Sequence, residues 1–189
     1  MQVETFAVPG PTLLRPTRHK DDRGYLAETF HTTRFLEAAG MQGLAQENHV
    51  MSYRRYTMRG LHCQAPPSPQ GKLVTCLAGR ILDVAVDARV GSATYGQHVL
   101  VELSPEDGAL FFVPRGFLHG YLTLEPDTQV LYKLDGYYDP KTEMACRFDD
   151  PDLAIDWGVS VEQCQVHQKD LDAPWFRDFQ SPFTVEAAS

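Results

Sequence analysis

A histidine and a lysine stand on either side of a proline-rich stretch, and together they could do acid–base chemistry. His62 lies in segment 59–64 (RGLHCQ), and Lys72 follows soon after it. A base beside a fixed positive charge suits removal of a C–H proton next to a carbonyl, because the ammonium group stabilises the resulting enolate oxygen. Two surface residues with no shared role would give the same pattern, and for an arbitrary pair this is the stronger interpretation.

The local pattern suggests how these two side chains are positioned. Segment 59–64 is interpreted as a strand in which residues two positions apart share a face. Residues 65–71 contain three prolines and must form a loop, after which a second strand begins. If the two strands pair across this loop, His62 and Lys72 lie close together at its mouth.

Arginines form a second group of interest. Arg54, Arg55 and Arg59 are clustered, and Arg23 follows two aspartates. Arginine binds phosphate through two hydrogen bonds, so such a cluster in an acidic protein can hold a small anion. Charged residues on a solvated strand edge, where they discourage aggregation, are an equally good explanation.

Most of the chain from about residue 46 to 148 is typical of β-structure. Short runs rich in β-forming residues occur at 73–77, 81–86, 98–103, 110–113 and 128–133. Alternation along 82–87 predicts a strand with one face in a core, and Ala78-Gly79-Arg80 predicts a tight hairpin turn. Many short strands with few helices indicate an all-β sandwich or barrel, which can hold a ligand inside.

The two ends of the chain differ from this β-rich region. A short helix is predicted near the N-terminus, capped by Thr32 or Thr33 and ended by Gly40. Beyond about residue 150 the periodicity is weak, which predicts an irregular segment, 150–189, packed on the barrel. This segment is too short to bury its own core, so we expect one domain spanning 1–189.

Composition and charge exclude several classes of protein. The chain has 189 residues, and its net charge of −8 does not suit non-specific binding to nucleic acid or to a membrane. It contains neither an apolar signal core nor an apolar run of membrane-spanning length, so we expect a cytoplasmic protein. The four cysteines lack C-x-x-C or zinc spacing, which favours free thiols in a reducing compartment.

His119 belongs to a more specific motif. Residues 114–119 read PRGFLH, and this P-x-G-x-x-H pattern resembles the second motif of the cupin superfamily, whose fold is a double-stranded β-helix barrel. Metal-binding cupins carry H-x-H in the first motif, whereas the matching residues here are His62-Cys63-Gln64. Since stable metal binding commonly needs three or four protein ligands, we expect neither a metal nor another cofactor. His119 is then a binding-site residue or a hydrogen-bonded core histidine.

Taken together, these segments resemble the dTDP-4-dehydrorhamnose 3,5-epimerase family. The matching residues, in chain order, are Asp22-Arg23-Gly24, Glu28, Phe30, Gln46, Asn48, Arg59-Gly60-Leu61-His62, Gln64, Lys72-Leu73-Val74, Asp83-Val84-Ala85-Val86-Asp87, Pro114-Arg115-Gly116-Phe117, His119-Gly120, Tyr132-Lys133, Tyr138, Pro140, Asp150-Pro151 and Ile155-Asp156-Trp157. Each piece is weak alone, but their order and spacing are specific. The resemblance implies an all-β, cupin-type jelly-roll barrel with a few short helices, usually a homodimer without a metal. It also implies a dTDP-linked 4-keto-6-deoxy-hexose as substrate, inverted at the carbons beside the C4 ketone.

The resemblance further implies catalytic roles. His62 would be the base, and the carboxylate of Asp170 would orient it and stabilise its protonated form. Lys72 would stabilise the enolate oxygen. Tyr132 would return a proton from the opposite face of the sugar, because a single base would only regenerate the starting stereocentre. Without the resemblance, Tyr132 would be read as a packing residue and Asp170 as a solvated turn residue.

The remaining matches would bind the substrate. Arg23 and Arg59 would hold the diphosphate, Glu28, Gln46 and Asn48 would contact nucleotide or sugar, Tyr138 would stack on the base, and His119 would line the sugar pocket. Departures from the family pattern at 49–56, 67–71 and 134–136 border the expected pocket and leave the exact sugar, the nucleotide and the number of inverted centres open. The alternatives are a single-site deoxysugar epimerase, an epimerase of another nucleotide-linked 4-keto sugar, a non-catalytic nucleotide-sugar-binding cupin and a metal-dependent cupin enzyme.

Overall fold

Two antiparallel sheets face each other in the computed structural model, which describes residues 1–41 and 43–185. With strands numbered along the chain, the first sheet contains, in spatial order, β1 (Gln2–Thr5), β2 (Thr12–Arg15), β10 (Leu110–Val113), β7 (Lys72–Ala78), β12 (Thr128–Leu134) and β5 (Gln46–Ser52). The second contains β13 (Glu143–Ala145), β6 (Met58–Gln64), β11 (Phe117–Thr123), β8 (Ile81–Asp87) and β9 (His98–Leu103). A separate hairpin is formed by β3 (Arg18–Asp21) and β4 (Gly24–Ala27).

Helices are few and short. They are α1 (Thr32–Ala39), α2 (Gln168–Leu171) and two 3₁₀ turns, Val161–Gln163 and Phe176–Asp178. None of the described helices is long and apolar enough to cross a membrane. The chain is therefore all-β in class, as the pattern of short strands predicts.

The core lies between the two sheets. Val74 and Phe111 of the first sheet pack there with Ile81 and Tyr121 of the second. Each large apolar side chain buried in this way stabilises the fold by about 1.5–3 kcal/mol. Polar side chains of the same inner faces, such as His62 and Lys72, line an open cavity next to this core.

The outer face of the second sheet is covered by the C-terminal part of the chain. Leu61 and Leu118 pack against Trp157, Phe176 and Phe179. The described residues of the predicted irregular segment thus lie on the barrel, while 186–189 lie outside the described residues.

The predicted strands are confirmed, but two details of their arrangement are wrong. Each predicted run forms a strand whose ends agree within one residue. Gly79 does make a turn, with φ of 74°, but β7 and β8 belong to different sheets, so this turn crosses between sheets and forms no hairpin. β8 is buried on both faces rather than one, because Ala85 faces the core while Val84 and Val86 face the C-terminal segment.

The predicted helix is also present, with a different cap. α1 ends at Gly40, whose φ of 69° is the left-handed conformation that glycine adopts easily. Its N-cap is His31 and neither threonine, since the His31 ring accepts a hydrogen bond from the backbone N–H of Arg34. Thr32 and Thr33 are the first residues of the helix itself.

Candidate active site

A cavity of about 810 Å³ opens at one end of the space between the sheets. Its wall includes six of the residues predicted to act on a substrate: Arg59, His62, Lys72, His119, Tyr132 and Asp170. These side chains come from β6, β7, β11, β12 and α2, so elements from both sheets and the C-terminal segment are needed to assemble the wall.

His62 and Asp170 form a hydrogen-bonded pair in this cavity. His62 Nε2 lies 2.7 Å from Asp170 Oδ1, and the aspartate side chain is only 4% exposed. Burial by itself would raise the pKa of Asp170, but the hydrogen bond and charge of His62, together with the backbone N–H of Gly60, hold this pKa below its ordinary value of 3.8. The carboxylate is therefore ionised at neutral pH and can balance the positive charge of an imidazolium formed when the ring takes up a proton.

A bulge in β6 explains why Arg59 and His62 share the cavity. In a regular strand, side chains three positions apart point to opposite faces. Here His119 pairs with His62 while Tyr121 pairs with Arg59, so three steps along β6 match two along β11. The extra residue rotates the strand and places both side chains on the inner side.

Lys72 lies in the wall of the same cavity, but its strand is not paired as predicted. The proposed pairing of the two strands around the proline-rich loop is wrong, because β6 and β7 lie in different sheets. Their side chains still meet, since both strands face the space between the sheets. Burial lowers the pKa of Lys72 from its ordinary value of 10.5, and its ammonium group has no hydrogen-bond or ion-pair partner among the residues described.

His119 has a buried partner, Asp83, to which the sequence pattern assigns no role. Its Nε2 lies 2.7 Å from Oδ1 of Asp83, whose side chain is fully buried. Burial lowers the pKa of His119, and Asp83 opposes this effect. Asp83 stands at an inward position of β8 between apolar neighbours, and a carboxylate at such a position is the signal that could have revealed it.

Tyr132 faces this group from the first sheet. It pairs with Asn48 on one side and Val74 on the other, and it packs at the edge of the core. Since β12 and β6 belong to opposite sheets, the phenol of Tyr132 and the imidazole of His62 approach the cavity from different sides.

Gln46, Asn48 and Tyr138 lie beside the cavity rather than in its wall. Gln46 donates to Asn48 at 2.9 Å and accepts from the backbone N–H of Tyr138 at 3.0 Å. The ring of Tyr138 is half exposed, and its hydroxyl donates to Glu143, which also accepts from Lys169 at 3.1 Å. Because Lys169 lines the cavity, this network connects Tyr138 to the cavity mouth.

Arg23 and Glu28 are not brought to the cavity of their own chain. Arg23 lies in the turn between β3 and β4, with its side chain 86% exposed and paired with Asp21 at 2.6 Å. Glu28 follows β4 and accepts from Arg34 at 2.5 Å. Both side chains are exposed.

Possible metal ligands are sparse. Over residues 1–41 and 43–185, no three His, Cys, Asp or Glu side chains form a cluster that could hold a metal ion. The expectation of an enzyme without metal or cofactor stays a prediction.

Comparison with known proteins agrees with this geometry. The family model for dTDP-4-dehydrorhamnose 3,5-epimerase matches residues 5–178. The dTDP-4-dehydrorhamnose 3,5-epimerase of Sinorhizobium fredii is 43% identical over 174 residues, which cover 92% of this chain and 89% of that protein. The dTDP-6-deoxy-D-glucose-3,5-epimerase of Legionella pneumophila, solved with dTDP-4-keto-L-rhamnose, superposes with a TM-score of 0.91 at 36% identity, covering 98% and 99% of the two chains.

A single-site relative is also similar. ChmJ, a 3'-monoepimerase from Streptomyces bikiniensis solved with dTDP-quinovose, gives a TM-score of 0.83 at 31% identity and covers 91% of this chain and 86% of its own.

The fold and the cavity define a cupin-type jelly-roll enzyme that acts on a nucleotide-linked sugar. Within that class, the chain belongs to the dTDP-4-dehydrorhamnose 3,5-epimerase family. The fold and family expected from the sequence are therefore confirmed.

Proposed function

We propose that this protein inverts C3 and C5 of a dTDP-linked 4-keto-6-deoxy-hexose, the reaction of a dTDP-4-dehydrorhamnose 3,5-epimerase. The observation that carries the proposal is the His62–Asp170 pair at 2.7 Å in a cavity shared with Lys72 and Tyr132. The arrangement supplies a base, a cation for the enolate oxygen and a second proton donor on another side.

The proposed reaction begins at His62. Nε2 is held by Asp170, which leaves Nδ1 to take the proton from the carbon beside the C4 ketone. The electron pair of the broken C–H bond moves to the C4 oxygen, and the ammonium group of Lys72 stabilises the enolate. The positive charge that His62 gains with this proton is balanced by the Asp170 carboxylate.

The proposed reaction ends at Tyr132. Its phenol gives a proton to the same carbon from the opposite face, the ketone forms again, and the stereocentre is inverted. The proton held by His62 then passes to water, and the phenolate takes a proton from water. Repeating the sequence at the second carbon beside the ketone completes the double inversion.

Binding of the diphosphate is assigned to Arg59, which lies in the cavity wall and whose Nε donates to Ser52 at 3.2 Å. This hydrogen bond holds the guanidinium in place, so that it is ready for a bidentate contact with phosphate. His119 lines the sugar pocket, and the half-exposed ring of Tyr138 at the mouth suits stacking on the base.

We also propose a homodimer. Arg23 lies on the β3–β4 hairpin and Glu28 directly follows it, and the hairpin has two exposed apolar side chains, Tyr25 (57%) and Leu26 (74%). A second copy of the chain would cover this surface and would allow Arg23 and Glu28 to contact the substrate in the neighbouring cavity. Single-domain organisation and a cytoplasmic location remain part of the proposal, the latter supported by four free cysteines.

Single-site epimerisation is the second candidate, favoured by the similarity to the 3'-monoepimerase. Both candidates use the same four catalytic groups and differ in how many carbons are inverted.

A proton NMR time course with dTDP-4-keto-6-deoxyglucose in D2O tests the proposal. We expect deuterium at both C3 and C5 with the wild-type protein, and none with His62→Ala. Incorporation at one carbon would replace the proposal with single-site epimerisation. No incorporation with any nucleotide-linked 4-keto sugar would contradict both candidates.

A further inference from the structure

A second tyrosine faces the cavity and has no role in the reaction described above. Tyr121 lies on β11, paired with Arg59 on one side and Asp83 on the other. It is only 3% exposed, and it forms part of the cavity wall. Its hydroxyl oxygen is buried and makes no hydrogen bond to any of the described residues.

An unpaired buried hydroxyl is unusual, because buried polar atoms nearly always have a hydrogen-bond partner. The Ser52 hydroxyl lies close enough to lower the pKa of Tyr121 weakly, but it does not meet the geometry of a hydrogen bond to the phenol, and its oxygen accepts from Arg59. A phenylalanine ring would fill the same space without the free-energy cost of burying a hydroxyl that makes no hydrogen bond. The hydroxyl is therefore in position for a partner that arrives with the substrate.

The phenol would meet this partner as a neutral group. Burial raises the pKa of Tyr121, and the neighbouring Arg59 only partly opposes this effect. A neutral phenol can both donate and accept a hydrogen bond, which suits a sugar hydroxyl.

The position of Tyr121 selects one hydroxyl of the proposed substrate. A 4-keto-6-deoxy-hexose linked through C1 has free hydroxyls at C2 and C3 only. Tyr121 is the strand neighbour of Arg59, the proposed diphosphate ligand, and C2 is next to the carbon that carries the diphosphate. The C3 hydroxyl also changes direction when C3 is inverted, whereas the C2 hydroxyl keeps its place throughout the reaction.

We propose that the Tyr121 hydroxyl binds the C2 hydroxyl of the sugar and makes the enzyme selective for 2-hydroxy over 2-deoxy substrates. This inference rests on the proposed function, since it uses the same substrate and the same site. It makes Tyr121 a specificity-determining residue, separate from the groups that move protons.

The test compares wild type and Tyr121→Phe on dTDP-4-keto-6-deoxyglucose and on its 2-deoxy analogue. Loss of a neutral hydrogen bond to a buried sugar hydroxyl should lower kcat/KM of the variant about tenfold on the 2-hydroxy substrate. On the 2-deoxy analogue the two proteins should agree within about twofold, because neither can make the bond. Deuterium exchange and inversion should fall together in the variant.

Tyr95→Phe is the matched control. Tyr95 packs on Phe176 outside the cavity wall, so its variant should match wild type on both substrates. An equal loss on the two substrates, no loss at all, or a loss of inversion without loss of exchange in Tyr121→Phe would overturn the inference while leaving the proposed function intact. Absence of exchange in the wild type would overturn the proposed function and the inference together.

Discussion

The charge of Asp170 determines what His62 can do. The folded protein keeps this carboxylate ionised, because the contacts with His62 outweigh the effect of burial on its pKa. A negative charge 2.7 Å from Nε2 fixes the orientation of the ring and, in the proposed reaction, would stabilise the imidazolium that forms on proton uptake.

Replacing Asp170 by asparagine should therefore lower the rate of deuterium exchange about a hundredfold or more, since the amide keeps the shape but not the charge. The measurement is the exchange rate at saturating substrate. Asp172→Asn is a suitable control, because Asp172 lies at the end of the same helix and accepts from Gln168. Equal rates in Asp170→Asn and wild type would contradict the role of the pair.

The lowered pKa of Lys72 predicts how kcat/KM depends on pH. A lysine is charged below its pKa, and burial lowers the pKa of Lys72 from 10.5. The ammonium group is therefore lost at a lower pH than in an exposed lysine, and kcat/KM should begin to fall on the alkaline side below pH 10.5.

The variant Lys72→Arg separates this effect from other titrations. Arginine stays charged throughout the accessible range, so any activity that the variant retains should persist to higher pH than in the wild type. Pre-steady-state or steady-state profiles of kcat/KM against pH provide the measurement. An alkaline limb at the same pH in both proteins would show that Lys72 is not its cause.

The sequence predicts individual site residues unevenly. His62 and Lys72 could be found through the matched segments and Asp170 through the resemblance to the family, and the three meet in one cavity. Asp83 stands in a matched segment, but its role depends on a buried contact with His119 that exists only in the folded chain. Tyr121 stands in no matched segment, and its buried hydroxyl without a hydrogen bond is visible only in the structure. The cavity position of Arg59 depends on a bulge, which strand periodicity does not predict.

The short helix α2 carries Asp170 and cannot be stable by itself, since four residues make barely one turn. Contacts with the rest of the chain hold it. The His167 ring accepts from the N–H of Lys169, and Arg147 donates to the carbonyl of Leu171 at 2.5 Å. Arg147 also pairs with Asp149 and lies over the ring of Trp175, so it ties the C-terminal segment to the barrel.

Arg147→Gln should loosen α2 and move Asp170 away from His62. We expect kcat to fall about ten- to a hundredfold, because small displacements of a catalytic group have large effects. The free energy of unfolding should fall by about 1–3 kcal/mol through the lost charged hydrogen bonds. Exchange kinetics and denaturant titration measure the two effects.

The matched control for this change is Arg177→Gln. Arg177 is 69% exposed and lies 3.7 Å from Asp178, so its loss should change neither quantity measurably. If Arg147→Gln were less stable but exchanged protons at the wild-type rate, the positioning of α2 by Arg147 would be disproved.

At the level of elements, the sequence predicts where strands lie better than how they are connected. Periodicity and β-propensity locate the strands because both report local burial. The turn at Gly79 shows the limit, since a crossing between sheets and a hairpin turn use similar residues. The cap of α1 by His31 likewise depends on the conformation of one side chain.

At the scale of the whole molecule, two proposed substrate ligands lie outside the cavity of their own chain. Arg23 lies on the exposed β3–β4 hairpin, and Glu28 directly follows it. Family motifs predict the barrel, because its strands and loops are spread along the chain in a specific order. The motifs do not show whether Arg23 and Glu28 act in the cavity of their own chain or in that of a second copy, since this depends on how the chains assemble.

Mixing two inactive variants tests the proposed assembly. A dimer of His62→Ala and Arg23→Ala chains would contain one site with both native groups, if Arg23 acts in the partner's cavity. Random reassociation should then restore about a quarter of the wild-type activity, as expected for symmetric dimers. The mass of the particle in solution, measured by light scattering, confirms the dimer independently. Failure of every mixture to regain activity would exclude a shared site.

In the proposed reaction, a proton leaves the sugar on one face to His62 and another arrives from Tyr132 on the opposite face. Tyr132→Phe tests it most directly, with deuterium exchange and stereochemical inversion followed by NMR in the same sample of dTDP-4-keto-6-deoxyglucose in D2O. We predict that exchange continues, with deuterium returned to the original face, while inversion is impaired far more strongly. Equal losses of exchange and inversion would contradict a two-sided transfer through this phenol.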